Sequence, residues 1–408
     1  MSSVLCPDSA EGVLETVRWA AAEELPLEVF GHGSKRGVGR PLQTEYGLDL
    51  SGLGGVTLYE PEELVLSAKA GTPIADIERL LAEHNQMLAF EPMDFGPLFG
   101  SSRGQGTIGG VLASNSSGPR RIKAGAARDH ILGIKAVSGR GEAFKSGGRV
   151  VKNVTGYDLS KGLAGSWGTL AVVTEATFKV LPKPEAEATL VVAGLDDLIA
   201  VTALCKAMGT SLDVAGAAHL PDAVAGEIPD ASFATGGRAA TLIRLEGFAP
   251  SVDFRAQKLT AAIGRLGEVS VIEADASAAT WRAVRDAEVF GATTHPVWRV
   301  SVAPNDGPTV IAALRKTHAI RYFYDWSGGL IWIEAADAGP HGLAREIRTA
   351  VAAVGGGHAT LIRGSPALRA AVPPFEPQPE ALAALSQRLK AQFDPRGILN
   401  PGRMAVGV

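Results

Sequence analysis

Gly31-His32-Gly33-Ser34 follows a short apolar run, Leu27-Glu-Val-Phe, and offers consecutive backbone N–H groups beside a hydroxyl donor. Successive amides in a tight turn make a concave anion site, so this loop suits a pyrophosphate; a plain strand-to-turn corner is the alternative. Downstream, Gly104-Gln-Gly106-Thr107-Ile-Gly109-Gly110 has GxGxxG spacing. A nicotinamide-type dinucleotide fold needs a buried strand before that motif and a full helix after it. Here Pro92 and Pro97 precede it and Gly118-Pro119 closes the following stretch early. The spacing therefore predicts a short helix from Thr107 whose N-terminus faces the phosphates, with Gly109 and Gly110 admitting a close approach. A dinucleotide is the ligand that this pattern of glycines favours.

Arg120, Arg121, Lys123 and Arg128 form a basic cluster within the glycine-rich stretch. Solvated surface is the default for such a run, but beside a dinucleotide it could neutralise phosphates or a carboxylate substrate. Asn153-Val-Thr155-Gly156-Tyr157-Asp158 leads into a short helix that Asp158 can cap. His32, His295, His318, His341 and His358 lack paired-ligand spacing, so no metal site is expected. The sequence contains no Walker loop.

Several elements must position these residues. A helix is expected from Ser9 to Glu24 with Asp8 as cap, then strands at 27–30, 56–61 and 64–71, and a helix from Thr72. Strands follow at 87–90, 131–137 and 170–181. Pro182 and Pro184 mark a boundary where regular structure should stop. Beyond it, strands and helices alternate as an α+β unit of mixed or antiparallel sheet with helices on one face, and no fixed-period repeat is visible. A proline cluster (Pro373, Pro374, Pro377, Pro379) then leads into a helix at 380–393 and the tail DPRGILNPGRM.

Composition agrees with a globular protein of two domains. The chain has 408 residues, 46% hydrophobic and 20% charged, with a net charge of -4, which argues against nucleic acid and anionic lipid as partners. Cys6 and Cys205 are too far apart in sequence to suggest a structural disulfide. The N-terminus does not read as a signal peptide and no apolar run is long enough to span a bilayer, so a cytoplasmic location is expected.

In order, the GxGS loop, Gly71–Ile74, TIGG, NxxGPRR, GYDLSK, GSWGTLAVVTE and a late NPG resemble the FAD-binding domain of the vanillyl-alcohol-oxidase, or PCMH-type, flavoproteins. The resemblance covers about residues 10–182 and 376–408. Within that group, LLAEHNQMLAFEPMDFG and GGVLASNSSGPRRIKAGAARDHILGIKAVSGRGE are similar to the E-subunit family of bacterial glycolate oxidases. It implies an α+β fold: a PCMH-type FAD-binding domain of two α+β subdomains at 1–182, a cap domain at 186–375, and a C-terminal segment at 376–408 that returns to the first. It also implies oxidation of glycolate, a small 2-hydroxy acid, to glyoxylate. The expected partners are a second flavoprotein subunit and an iron–sulfur subunit of glycolate oxidase, with membrane contact only through them.

By the same resemblance, Gly31, His32, Gly33, Ser34, Thr107, Gly109 and Gly110 would line the pyrophosphate. Ser114, Asn115 and Gly118 would lie along the flavin and its linker, Gly168 and Val173 at the adenosine end, and Asn400 would return to the cofactor. The family's covalent-flavin histidine falls where this chain has Gly33, so FAD is expected to be noncovalent. The H-x-G-D-G-N-x-H stretch of related 2-hydroxy-acid dehydrogenases is missing; GGGHATLIRG comes nearest. Arg244, Arg299, Tyr322, Tyr324 and Arg363 fall on second-domain strands, where any could face a flavin and each has a structural reading. Three functions stay open: a redox subunit active only in complex, an autonomous 2-hydroxy-acid oxidoreductase, or an assembly subunit with structural or absent FAD.

Overall fold

Ser9, not Asp8, starts the first helix: its hydroxyl accepts the Gly12 N–H at 3.1 Å, and Ala10–Ala22 follows in this computed structural model, which describes residues 3–149, 156–228 and 235–408. The helix buries Val13, Val17 and Ala20 against Leu27, Leu48 and Leu50. Beneath it lies a small parallel sheet in the order Ser3–Leu5, Tyr46–Asp49, Leu27–Phe30. Its first two strands are short and flanked by polar residues, so periodicity does not reveal them.

A second sheet is antiparallel throughout, ordered Val56–Glu60, Val65–Lys69, Ala171–Lys179, Ile131–Ser138, Ala143–Gly147. Ile74–Ala82 packs on it through Ile77 and Leu81, and Ile108–Ser114 through Ile108, Val111 and Leu112. The expected proline break is softer than the sequence suggests. Leu181–Pro182 still pairs with Gln86–Met87, which edge pairing permits because a proline there forfeits no ladder donor.

The third sheet has eight antiparallel strands and an internal symmetry that the sequence hides. Ala186–Ala193, Val214–Leu220, Ala240–Gly247 and Glu268–Glu273, with helices Asp197–Met208 and Ala249–Ile263, form one β-α-β-β-α-β unit. Val297–Ser301, Ile320–Asp325, Leu330–Ala335 and His358–Arg363, with helices Gly307–Arg315 and Ala344–Ala353, form another. In each unit the fourth strand is outermost and the second innermost. The units join at a single residue pair, His219 with Tyr324. At this seam Asp197 accepts the hydroxyls of Tyr322 (2.8 Å) and Tyr324 (2.9 Å), and His219 lies 3.4 Å away.

The four helices cover one face of this sheet, burying Trp298, Val300, Tyr324 and Ile331 in one half and Leu190, Ala217 and Ile243 in the other. The opposite face carries Phe323, Trp332 and Ile362, packed with Met93, Phe95 and Leu98 from the N-terminal half of the chain. Helix Ala274–Arg285 lies on this face too, contributing Trp281 and Val284, so helices are not confined to one side as expected. Ion pairs lock the layers together. Arg244 grips Glu91 through two 2.8 Å bonds, and Arg120 reaches Glu246 at 2.7 Å and Glu91 at 3.1 Å.

The late segment returns to the first sheet. Leu27 and Leu399 bridge in parallel, with Leu27 N–H donating to Ile398 at 2.7 Å and Asn400 N–H to Leu27 at 3.0 Å. Among the described residues no helix is long and apolar enough to cross a membrane.

Candidate cofactor site

Strand Leu27–Phe30 delivers Gly31–Ser34 to the junction of the two N-terminal sheets, opposite the start of helix Ile108–Ser114. Two adjoining hollows of about 440 and about 520 Å³ meet there, sharing Val29, Phe30, Gly31, Thr107, Gly110, Ala113 and Trp167 as walls. Ser166 connects the second to a roomier hollow of about 1320 Å³ beside Phe375, Met404 and Val406. An elongated ligand needs such a succession, since a single rounded pocket holds only a compact one.

The chemistry of the walls fits a diphosphate. Among the described residues the backbone N–H groups of Gly31 through Lys35 have no protein acceptor; the next donors in the loop, Arg36 and Val38, close turns onto Gly33 and Lys35. Consecutive unaccepted amides around a glycine turn are an anion nest. Lys35 ends the row, its side chain buried and its Nζ without a hydrogen-bond partner, 5.1 Å from the Phe95 ring centroid. Burial lowers its ammonium to about 8, against a smaller opposing pull from Asp94. A buried unpaired cation bordering the same hollow as open amides is an incomplete electrostatic arrangement that an anion completes.

Space near the walls depends on missing side chains. A Cβ on Gly31 would lie 2.8 Å from Thr107 Oγ1, and one on Gly109 would lie 2.8 Å from the Ala70 carbonyl oxygen. The helix itself contributes less donation than expected. Thr107 caps it by accepting Gly110 N–H at 3.2 Å, and Ala70 accepts Gly109 N–H at 2.9 Å. Gly109 thus lets the helix close on Ala70, Gly110 leaves room beside Lys35 Nζ, and the free amides come from the Gly31 loop.

The expected site residues divide by position. Gly31, exposed His32, Gly33, Ser34, Thr107 and Gly110 border the first hollow; Gly109, Gly168 and Val173 border the second. Ser114, Asn115 and Gly118 border neither. Ser114 Oγ donates to Gly110 O at 2.7 Å, Asn115 Oδ1 accepts Arg128 N–H at 2.9 Å, and Gly118 O accepts the Trp326 indole at 3.1 Å. Asn400 is a brace. Its Oδ1 accepts Val29 N–H at 2.8 Å and its Nδ2 donates to Trp167 O at 2.8 Å, so one amide ties three segments behind the hollows. Asn153 to Thr155 of the Asn153–Asp158 motif lie outside the described residues; Asp158 caps helix Leu159–Leu163 as expected.

The basic cluster separates into different roles. Arg120 is consumed by Glu91 and Glu246, Lys123 reaches Asp213 at 2.5 Å, and Arg128 is exposed. Arg121 stacks on Trp326 instead. Of the candidates on the eight-stranded sheet, Tyr322 and Tyr324 face the helix side, Arg244 is ion-paired, and Arg363 bonds the carbonyls of Leu98 and Phe290. Only Arg299 among the five lacks a hydrogen bond or ion pair to the described residues. His358 begins a strand, exposed, and no three His, Cys, Asp or Glu side chains of the described residues gather as a metal would require.

Sequence reasoning passed over Lys35, Trp167 and Arg403. Lys35 follows Ser34 directly and was legible as a cation beside an anion loop. Trp167 holds φ 54°, a strained value for a bulky residue, and walls both smaller hollows. Arg403, which donates to Lys35 O at 2.9 Å, arrives from a remote part of the chain and gave no signal.

Comparison with known proteins identifies the family. The FAD binding domain family (FAD_binding_4) matches residues 1–147. The glycolate oxidase subunit GlcE of Escherichia coli is 33% identical over 97% of this chain and 97% of its own length. The glycolate oxidase subunit GlcD of Bacillus subtilis is 27% identical over 98% of this chain and 88% of its own. Among solved structures, 4-ethylphenol oxidase from Gulosibacter chungangensis superposes with a TM-score of 0.73 at 14% identity, over 99% of this chain and 89% of that one, which speaks for the α+β fold alone. An FAD-binding family model and a relative 33% identical over nearly the whole length of both chains agree: the chain is an FAD-dependent oxidoreductase of the glycolate oxidase E-subunit family.

Proposed function

We propose that this chain is the FAD-carrying subunit of a complex that oxidises glycolate to glyoxylate, acting with a second flavoprotein subunit and an iron–sulfur subunit. The observation that supports it most directly is the row of open amides from Gly31 to Lys35 ending in an unpaired ammonium. FAD, when bound, supplies a two-electron acceptor, which matches the loss of two electrons and two protons from a 2-hydroxy acid. In this reading Gly31, His32, Gly33 and Ser34, with Thr107, Gly110 and Lys35, hold the diphosphate. Gly109, Gly168 and Val173 border the adenosine, and Asn400 braces Val29 and Trp167 against it. Ser114, Asn115 and Gly118 act through the turn that carries them. We divide the chain accordingly: residues 1–182 and 376–408 hold the cofactor and residues 186–375 cover it. Gly33 at the position of the family's flavin-linking histidine favours noncovalent FAD. A cytoplasmic location, with contact to the inner membrane only through the partners, completes the proposal.

The test is direct. Purified chain should be yellow or take up added FAD, and acid precipitation should release the flavin. Anaerobic glycolate should bleach the flavin when the partner subunits are present and leave it oxidised when they are not. Failure to retain FAD would remove the cofactor assignment. Bleaching without partners would replace the subunit reading with an autonomous dehydrogenase.

A further inference from the structure

Strand alternation fixes where Arg299 points. Trp298 and Val300 enter the core on the helix side, whereas Val297 enters the opposite core with Phe95 and Leu98, and Arg299 shares the face of Val297. On that face its guanidinium stacks on Trp326, with Cζ 4.7 Å from the ring centroid. Arg121, delivered by the Gly118–Arg121 turn, stacks on the same ring at 4.3 Å. Neither guanidinium forms a hydrogen bond or ion pair with any described residue.

The surroundings neutralise this pair only in part: Asp129 attracts Arg121, but its Oδ2 already accepts Ala126 N–H at 2.8 Å. Glu91 and Glu246 are occupied by Arg120 and Arg244. Asp325 gives one oxygen to Trp326 N–H at 2.7 Å, and burial holds its carboxyl up at about 7, so it is a weak counter-ion near neutrality. Burial, with the like charge of Arg121, pushes the Arg299 guanidinium down to about 10. Two cations held on one indole are unfavourable unless an anion joins them.

The backbone here is strained as well. Trp326, Ser327 and Gly328 have φ of 49°, 59° and 97° in succession. Non-glycine residues in this region cost about 1–3 kcal/mol each and persist where surrounding structure enforces them. Trp326 is further fixed by its indole N–H, which donates to Gly118 O at 3.1 Å. Trp167, a wall of both smaller hollows, packs against the same extended core cluster that contains Trp326.

We propose that Arg121 and Arg299, held flat on Trp326, form the seat for the carboxylate of a small organic acid. Planar guanidiniums match a carboxylate by paired N–H donation, and the indole face orients them by cation–π attraction. The acid's identity as a 2-hydroxy acid rests on the function proposed above; the anionic seat does not.

The test uses full-length holoprotein and oxalate as a non-reacting dicarboxylate, followed by calorimetry and by the flavin difference spectrum. Oxalate should bind the wild type, and Arg299→Gln and Arg121→Gln should each weaken it by about tenfold or more with FAD content unchanged. Arg299→Lys should recover part of the loss. Because each glutamine removes an unpaired cation, melting temperature should hold or rise, whereas an arginine with a purely structural role would lower it. Oxalate affinity unchanged in both variants, no binding to wild type, or equal displacement by inorganic phosphate would overturn the proposal. Glycolate-driven flavin reduction alongside unchanged oxalate affinity in the variants would sink the seat and spare the functional reading. Loss of oxalate in the variants without any reduction by glycolate and partners would do the reverse.

Discussion

Replacing Lys35 with methionine tests the electrostatics of the cradle at its least satisfied atom. Burial lowers the ammonium from 10.5 to about 8. A tenfold change in proton affinity corresponds to about 1.4 kcal/mol, so charged Lys35 destabilises the cofactor-free fold by about 3 kcal/mol near neutrality. The sign follows from proton counting. Between pH 8 and 10.5 the unfolded chain binds more protons, so apoprotein stability rises with pH across that window and is flat below it. Diphosphate binding returns a counter-charge, so FAD affinity should be level below about pH 8 and fall above it, by up to about tenfold for each further step of one in pH. Lys35→Met should weaken FAD binding at neutral pH by about a hundredfold, abolish that pH slope, and raise the melting temperature of the apoprotein. Titration of apoprotein with FAD, read by quenching of flavin fluorescence at several pH values, measures all but the last. An unchanged affinity and an unchanged slope in the variant would show that the ammonium faces something other than the diphosphate.

Two further outcomes follow from the same geometry. Gly31→Val should lose FAD in gel filtration with only a small change in circular dichroism, because its Cβ meets Thr107 Oγ1 at 2.8 Å and forces the cap of helix Ile108–Ser114 to shift at the wall of the first hollow. Glu91→Gln should destabilise by about 3–5 kcal/mol in urea at neutral pH, since it strands part of the Arg120–Arg244 charge. Burial alone would raise the Glu91 carboxyl, but Arg244 and Arg120 outweigh it and hold it at about 2. Its contribution is thus present above pH 4.5 and lost as pH falls toward 2, and acid titration of the variant should lack that step.

Local chemistry made much of the cofactor half legible. The Gly31 loop, the Thr107 cap and the strand 171–179 are short-range features whose residues carry their own conformational preference. The parallel strands Ser3–Leu5 and Tyr46–Asp49 were invisible because tertiary pairing, not periodicity, makes them strands. The doubled β-α-β-β-α-β unit escaped notice for a related reason: packing constrains hydrophobicity and length, and many sequences meet those terms. Arg299 shows the limit at the site. Sequence could place it on a strand beside Arg244 and Arg363, but only three-dimensional pairing reveals that those two are occupied and it is not.

The Asn400 brace has a consequence for biogenesis. It joins Val29 to a residue 371 positions later, so the wall behind the phosphate loop is absent until the whole eight-stranded layer has left the ribosome. On the proposed placement of FAD, flavin capture would follow translation. A nascent chain arrested before Asn400 would expose the nest with nothing to keep Trp167 and the Gly31 loop in register.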